Sequence, residues 1–153
     1  MRIVKYSFLF TVLACVGLST TVASAEEADE KAVEYRQAVL RVVGVNLRPM
    51  VFMARGMAEY DADEVALRAT RINQMSQMME EAFTRDTSAV DGLTTDALDK
   101  IWANWDDFGS KIATLQEASL ALSDAPADLA GFKAAFSKLG QACKGCHDNY
   151  KAE

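Results

Sequence analysis

The sequence predicts an all-α protein, an antiparallel up-down-up-down four-helix bundle. Apolar residues recur with helical period through nearly the whole chain after its first 25 or so residues. The periodic segments are each about 20 residues long and are joined by mostly short links, the pattern of an antiparallel bundle. β-branched alternating runs and hairpin dipeptides such as Asn-Gly are absent.

The N-terminus reads as a leader rather than as part of the bundle. Arg2 and Lys5 precede an apolar run from Tyr6 to Leu18, and Ala23-Ser24-Ala25 offers small residues at −3 and −1 of a cleavage site. The run is too short for a stable bilayer-spanning helix. Residues 1–25 are therefore expected to be a cleaved signal peptide and residues 26–153 one exported domain. Cys15 would leave with the leader. A lipoprotein cut at Cys15 fits less well, because Leu13 is bulky where a small residue is usual.

The first helix is expected over about Asp29 to Ala54, with Val33, Leu40, Leu47 and Ala54 at heptad spacing and Val43 and Met50 between them. Pro49 should remove a backbone bond and kink this helix, and Gly56 should end it. Asp61 and Glu64 form a capping pattern for the second helix. Its apolar face is Val65, Ala69, Ile72, Met75, Met79 and Phe83. A Thr-, Ser- and Asp-rich loop around Gly92 leads to the third helix, striped by Leu98, Ile101, Trp105, Phe108, Ile112, Leu115 and Leu122. The fourth should start near Pro126 and carries Leu129, Phe132, Phe136, Leu139, Cys143 and Cys146. The clustered methionines read as adaptable core filling rather than a sulfur-rich metal box.

The chain has 16 basic and 22 acidic residues; without Arg2 and Lys5 the balance is 14 against 22, near −8. Such acidity argues against nucleic acid and anionic membrane surfaces as partners. No second apolar run is long enough to insert into a membrane.

The chemistry gathers at the C-terminal end. Two of the three cysteines and the single histidine lie in Cys143-Lys144-Gly145-Cys146-His147. At about 100° per residue the three side chains fall at roughly 0°, 300° and 40°, on the face that continues the apolar stripe. This suits a flat apolar ligand held by two thioethers and ligated by an imidazole, and C-x-x-C-H is the attachment signature of c-type haem. Zinc would need a fourth ligand that the exported chain lacks in Cys or His. A redox dithiol normally sits at a helix N-terminus after a strand. A plain disulfide would leave the adjacent histidine unexplained. One haem c is expected, with His147 as the iron ligand and the residue over the opposite face supplied by the first helix near Leu40.

The blocks "EYRQAVL", "IWANWDDF" and "LGQACKGCHDNYK" occur in the order seen in the cytochrome c′ family, which the chain resembles over essentially its whole exported length. The resemblance implies that Cys143 and Cys146 form the thioethers and His147 the axial bond. It implies that Arg36 and Gln37 meet the haem edge, that Leu40 overhangs the distal face, that Phe83 lines the same pocket, and that Asp96 approaches a propionate. With an apolar residue over it, the iron should be five-coordinate and high-spin. Lys151 departs from the commoner pattern, which has Arg there.

The function expected from these readings is a periplasmic haemoprotein that binds NO and CO, carries single electrons, or both. It would not be an enzyme, since no acid or base stands over the iron. The resemblance further implies a homodimer through the first two helices, and a redox partner protein fits electron transfer. The alternative is a six-coordinate, Met-ligated electron-transfer cytochrome of the c556 type. That alternative needs a methionine such as Met50 or Met53 over the iron.

Overall fold

The computed structural model describes residues 17–124 and 126–153. The leader expected over residues 1–25, and Cys15 with it, fall largely outside the described residues. Six helices follow in order: α1 (Gly17–Ala54), α2 (Ala62–Gln77), α3 (Met79–Ala82), α4 (Lys100–Ala103), α5 (Trp105–Ser123) and α6 (Leu129–Tyr150). Packing runs α1 on α2, α2 on α5, α5 on α6 and α6 on α1, the order of a square bundle. The chain is an antiparallel four-helix bundle, with the one-turn helices α3 and α4 as extensions of α2 and α5. No described helix is long and apolar enough to cross a membrane.

α1 buries a 3–4 stripe of Val33, Val39, Val43, Met50 and Met53. The same stripe includes the polar residues Asp29, Arg36 and Asn46. Leu40, expected in this stripe, is exposed instead, and Met53 is buried. α1 continues through Pro49 to Ala54 without interruption. Burial of Met50 and Met53 just beyond the proline opposes the loss of one backbone bond.

Gly56, at φ 71°, ends the run. Its N–H donates to the Met53 carbonyl, and the Met57 N–H donates back to Phe52, a Schellman closure that satisfies two terminal carbonyls.

Asp61 caps α2 as expected, accepting from the Glu64 N–H at 2.9 Å. The second and third helices are each broken where one continuous run was expected. Met78 separates α2 from α3, and Asn104, at φ −133° and ψ 50°, separates α4 from α5. The last helix starts at Leu129 rather than at Pro126, because Asp128 takes the cap by accepting from Gly131 N–H at 2.7 Å. Pro126 lies in the preceding turn, where its carbonyl accepts from the Tyr60 hydroxyl. The Tyr60 ring stacks on Phe132 at 5.4 Å, joining the two loops at that end of the bundle.

Val65, Ile72, Leu122, Phe132 and Leu139 fill the centre and are fully buried. Each such side chain contributes about 1.5–3 kcal/mol relative to exposure. At the other end of the bundle the centre is not filled in this way.

Candidate functional site

There, α1, α3, α5, α6 and the loop before α4 enclose a cavity of about 540 Å³. Cys143, Cys146 and His147 line it from α6, and Arg36, Gln37 and Leu40 from α1. Phe83 lines it from the end of α3, and Asp96 from the loop. The structure thus brings all eight sequence-predicted residues to one wall system, although they span more than a hundred positions of chain.

The buried residues Leu139, Ala142 and Tyr150 set the phase of α6, so the cysteines one position further round turn half inward. Tyr150 donates its hydroxyl to Asp107 Oδ2 at 2.6 Å, and its ring meets Phe108 edge-on at 5.3 Å. These contacts fasten the last turn of α6, next to His147, onto α5. Burial raises both thiols, and Cys146 reaches about 11. The neighbouring Cys143 adds to the rise at Cys146, and Lys111 opposes it. Thiols held protonated at neutral pH are poor nucleophiles, which counts against a redox dithiol. Zinc fits no better, since among the described residues no three His, Cys, Asp or Glu side chains converge as a metal site.

Arg36 is the most unusual wall residue: its side chain is 1% exposed. Nη1 donates to Thr87 Oγ1 and Nη2 to the Arg85 carbonyl, both at 3.2 Å. The guanidinium lies 4.6 Å from the Phe83 ring centroid and 5.1 Å from that of Trp102. Burial lowers its pKa, and Asp86 partly offsets that. Its Nε has no partner. A buried charged group with an unused donor on a cavity wall is a ready site for an anionic acceptor.

The rim beside it is closed by the C-terminus. Gln37 Nε2 donates to the Thr94 carbonyl at 2.8 Å. Lys151 Nζ lies 3.1 Å from Asp96 Oδ2, and the Ala152 N–H donates to the Asp96 carbonyl at 2.8 Å. Leu98 N–H reaches the Tyr150 carbonyl at 3.1 Å. Lys151, marked in the sequence only as a departure from Arg, thus anchors the loop that carries Asp96.

The remaining wall is mostly apolar, with Leu40, Val43, Leu47, Met79, Phe83, Ile101, Phe108, Ile112 and Leu115, and Arg41, Thr94, Thr95 and Lys111 are its polar members. Met50 and Met53 are buried in the core and do not line it. Met79 is buried in the core, as the sequence predicts, and among the described residues it is the methionine that also lines the cavity. Two contributions were missed. Trp102 Nε1 donates to the Phe83 carbonyl at 2.8 Å, holding that ring in place. Tyr150, three residues after His147, shares its helix face, and that spacing was the available signal.

A family model described as Cytochrome C′ matches residues 31–151. The chain belongs to the cytochrome c′ family. A cytochrome c′ of Halomonas halodenitrificans is 36% identical over 129 residues, covering 81% of this chain and 98% of that protein. A cytochrome c-556 of Agrobacterium tumefaciens is 32% identical over 120 residues, covering 78% and 95%. Among solved structures, a nitric oxide complex of a cytochrome c prime variant from Alcaligenes xylosoxidans superposes with TM-score 0.69 at 29% identity, covering 82% and 97%.

Membership in the cytochrome c′ family makes this a haem protein, and the residues present fit that group. The cavity wall is mostly apolar, two thiols and one imidazole line one side, and a buried guanidinium whose Nε has no partner stands at its edge.

Proposed function

We propose that the chain is a periplasmic c-type cytochrome whose single haem c is five-coordinate and high-spin and binds NO and CO. Cys143 and Cys146 would hold the group through thioethers, His147 would ligate it, and Arg36 Nε with Gln37 would meet its propionates. When bound, haem c supplies an iron that takes up a diatomic ligand and changes oxidation state by one electron.

The observation that carries the five-coordinate reading is Leu40 on the cavity wall beside Val43, Leu47 and Phe83. These side chains cannot bond iron and offer no hydrogen bond to a ligand, so small neutral gases are favoured over anions. No general acid or base stands among these four, and the wall's Lys111 acts on Cys146 instead, which supports binding and electron transfer rather than catalysis.

The Met-ligated alternative gains support from the c-556 relative, but Met50 and Met53 do not line the cavity. Met79 alone could supply the thioether. Absorption spectra of the Met79→Leu holoprotein separate the two readings: five-coordinate iron leaves them unchanged, and Met ligation makes them change.

The exposed apolar residues Val42, Val45 and Phe52 on α1 and Leu67 on α2 support a homodimer through those helices. Sedimentation of the holoprotein tests it, with Phe52→Glu expected to give the monomer.

A further inference from the structure

Tyr150 lines the cavity and is buried, and its hydroxyl donates to Asp107 Oδ2 at 2.6 Å. That length belongs to a hydrogen bond onto a charged oxygen. Lys111 Nζ stands 3.8 Å from the other oxygen, Oδ1, and leaves Oδ2 to the phenol. The Asp107 side chain is 54% exposed, so the carboxylate also meets water. An oxidisable ring on the cavity wall is thus joined to a base that leads away from the cavity.

Among the described residues, no other tyrosine or tryptophan donates to a carboxylate. Tyr60 and Trp102 donate to the carbonyls of Pro126 and Phe83, and a carbonyl cannot keep a proton. Tyr60 lies at the opposite end of the bundle. The Arg36 guanidinium lies 5.1 Å from the Trp102 ring centroid, and a positive charge there opposes electron loss from the indole. A phenol that loses an electron and keeps its proton becomes a cation, which a largely apolar wall disfavours. Asp107 removes that obstacle at Tyr150 alone.

We propose that Tyr150 is a redox-active residue that supplies one of the two electrons for reducing hydrogen peroxide in the cavity while Asp107 takes its proton, an inference resting on the five-coordinate haem c reading above. Hydrogen peroxide is small and neutral, the class of ligand that the apolar roof admits. Its O–O bond breaks as it takes up two electrons. One comes from ferrous haem, which becomes ferric. The other comes from Tyr150, whose proton passes to Asp107 Oδ2. Two protons from solvent complete two waters, and a neutral phenoxyl radical remains on Tyr150. Reduction by the haem electron alone would instead release a hydroxyl radical into the pocket.

The test mixes ferrous holoprotein with one equivalent of hydrogen peroxide in the absence of air and freezes samples at millisecond times for EPR. Ferric haem and a tyrosyl signal should appear together, and ring-deuterated tyrosine should narrow that signal. Tyr150→Phe should abolish it. Asp107→Asn keeps an oxygen for the hydroxyl but cannot hold the proton, so the signal should form about a hundredfold more slowly, with the haem spectrum unchanged. Tyr60→Phe should leave the signal as it is.

Ferric haem without a tyrosyl signal overturns the proposal, as does haem that peroxide leaves ferrous. So does a signal that survives Tyr150→Phe or forms equally fast in Asp107→Asn. A signal insensitive to tyrosine deuteration also overturns it and moves the radical to a tryptophan such as Trp105, which packs with Tyr150 on the Phe108 ring. A protein with no haem band, or a ferrous spectrum that CO leaves unchanged, removes the open-iron reading itself, and both show before peroxide is added.

Discussion

Arg36 lies over the ring of Phe83, 4.6 Å from its centroid, and so joins α1 to the end of α3 at the cavity wall. The same guanidinium holds Thr87 and the Arg85 carbonyl in the following loop. Lysine would keep the charge and lose the planar fork that makes these contacts together. Arg36→Lys should therefore cost about 2 kcal/mol in urea unfolding and lower the fraction of protein recovered with haem. Equal stability and equal haem content would show that the charge alone suffices.

Met79→Leu conserves volume in the cavity wall and should cost less than about 1.5 kcal/mol. Its oxidised and reduced spectra should match those of the unaltered protein. A shift from low-spin to high-spin bands on this substitution would identify Met79 as an iron ligand.

Tyr150 is held close to Asp107, and burial followed by that hydrogen bond pushes its pKa up to about 12. The folded protein then keeps the phenol proton more tightly than the unfolded chain. This contribution to stability is full below about pH 10, the ordinary tyrosine value, and is lost as pH rises toward 12. Tyr150→Phe should cost about 1 kcal/mol at neutral pH and flatten the decline in urea midpoint above pH 10. An unchanged alkaline decline would assign it to other groups.

Gly56 occupies left-handed space at the end of α1, and a side chain there is strained. Gly56→Ala should destabilise by about 1 kcal/mol. Asp61→Ala, which frees the Glu64 N–H, should do so by a similar amount. Thermal or urea unfolding of the two single variants measures both.

Those caps belong to the part of the structure that was readable from local sequence. Helix period, Asp61, Gly56 and the Cys-x-x-Cys-His run each act within a few residues, so the four-helix plan and the haem-attachment motif could be read directly. Leu40 turns to the cavity, as expected, and is therefore not packed in the core stripe of α1, where the polar residue Asn46 takes a buried position that the apolar pattern did not signal. Long-range pairs left no local trace: Trp102 with the Phe83 carbonyl, Tyr150 with Asp107, and Lys151 with Asp96. Helical spacing placed Met79 in the core correctly, but it could not show that the same side chain also borders the cavity.

The coordination of the iron is tested most directly by absorption spectra of the purified holoprotein, oxidised, reduced, and reduced with CO or NO. If Leu40 overhangs the iron and His147 is its only protein ligand, as proposed, the spectra are high-spin in both oxidation states and shift promptly on adding either gas. A low-spin reduced spectrum that CO leaves unchanged would contradict this and show a sixth ligand from the chain.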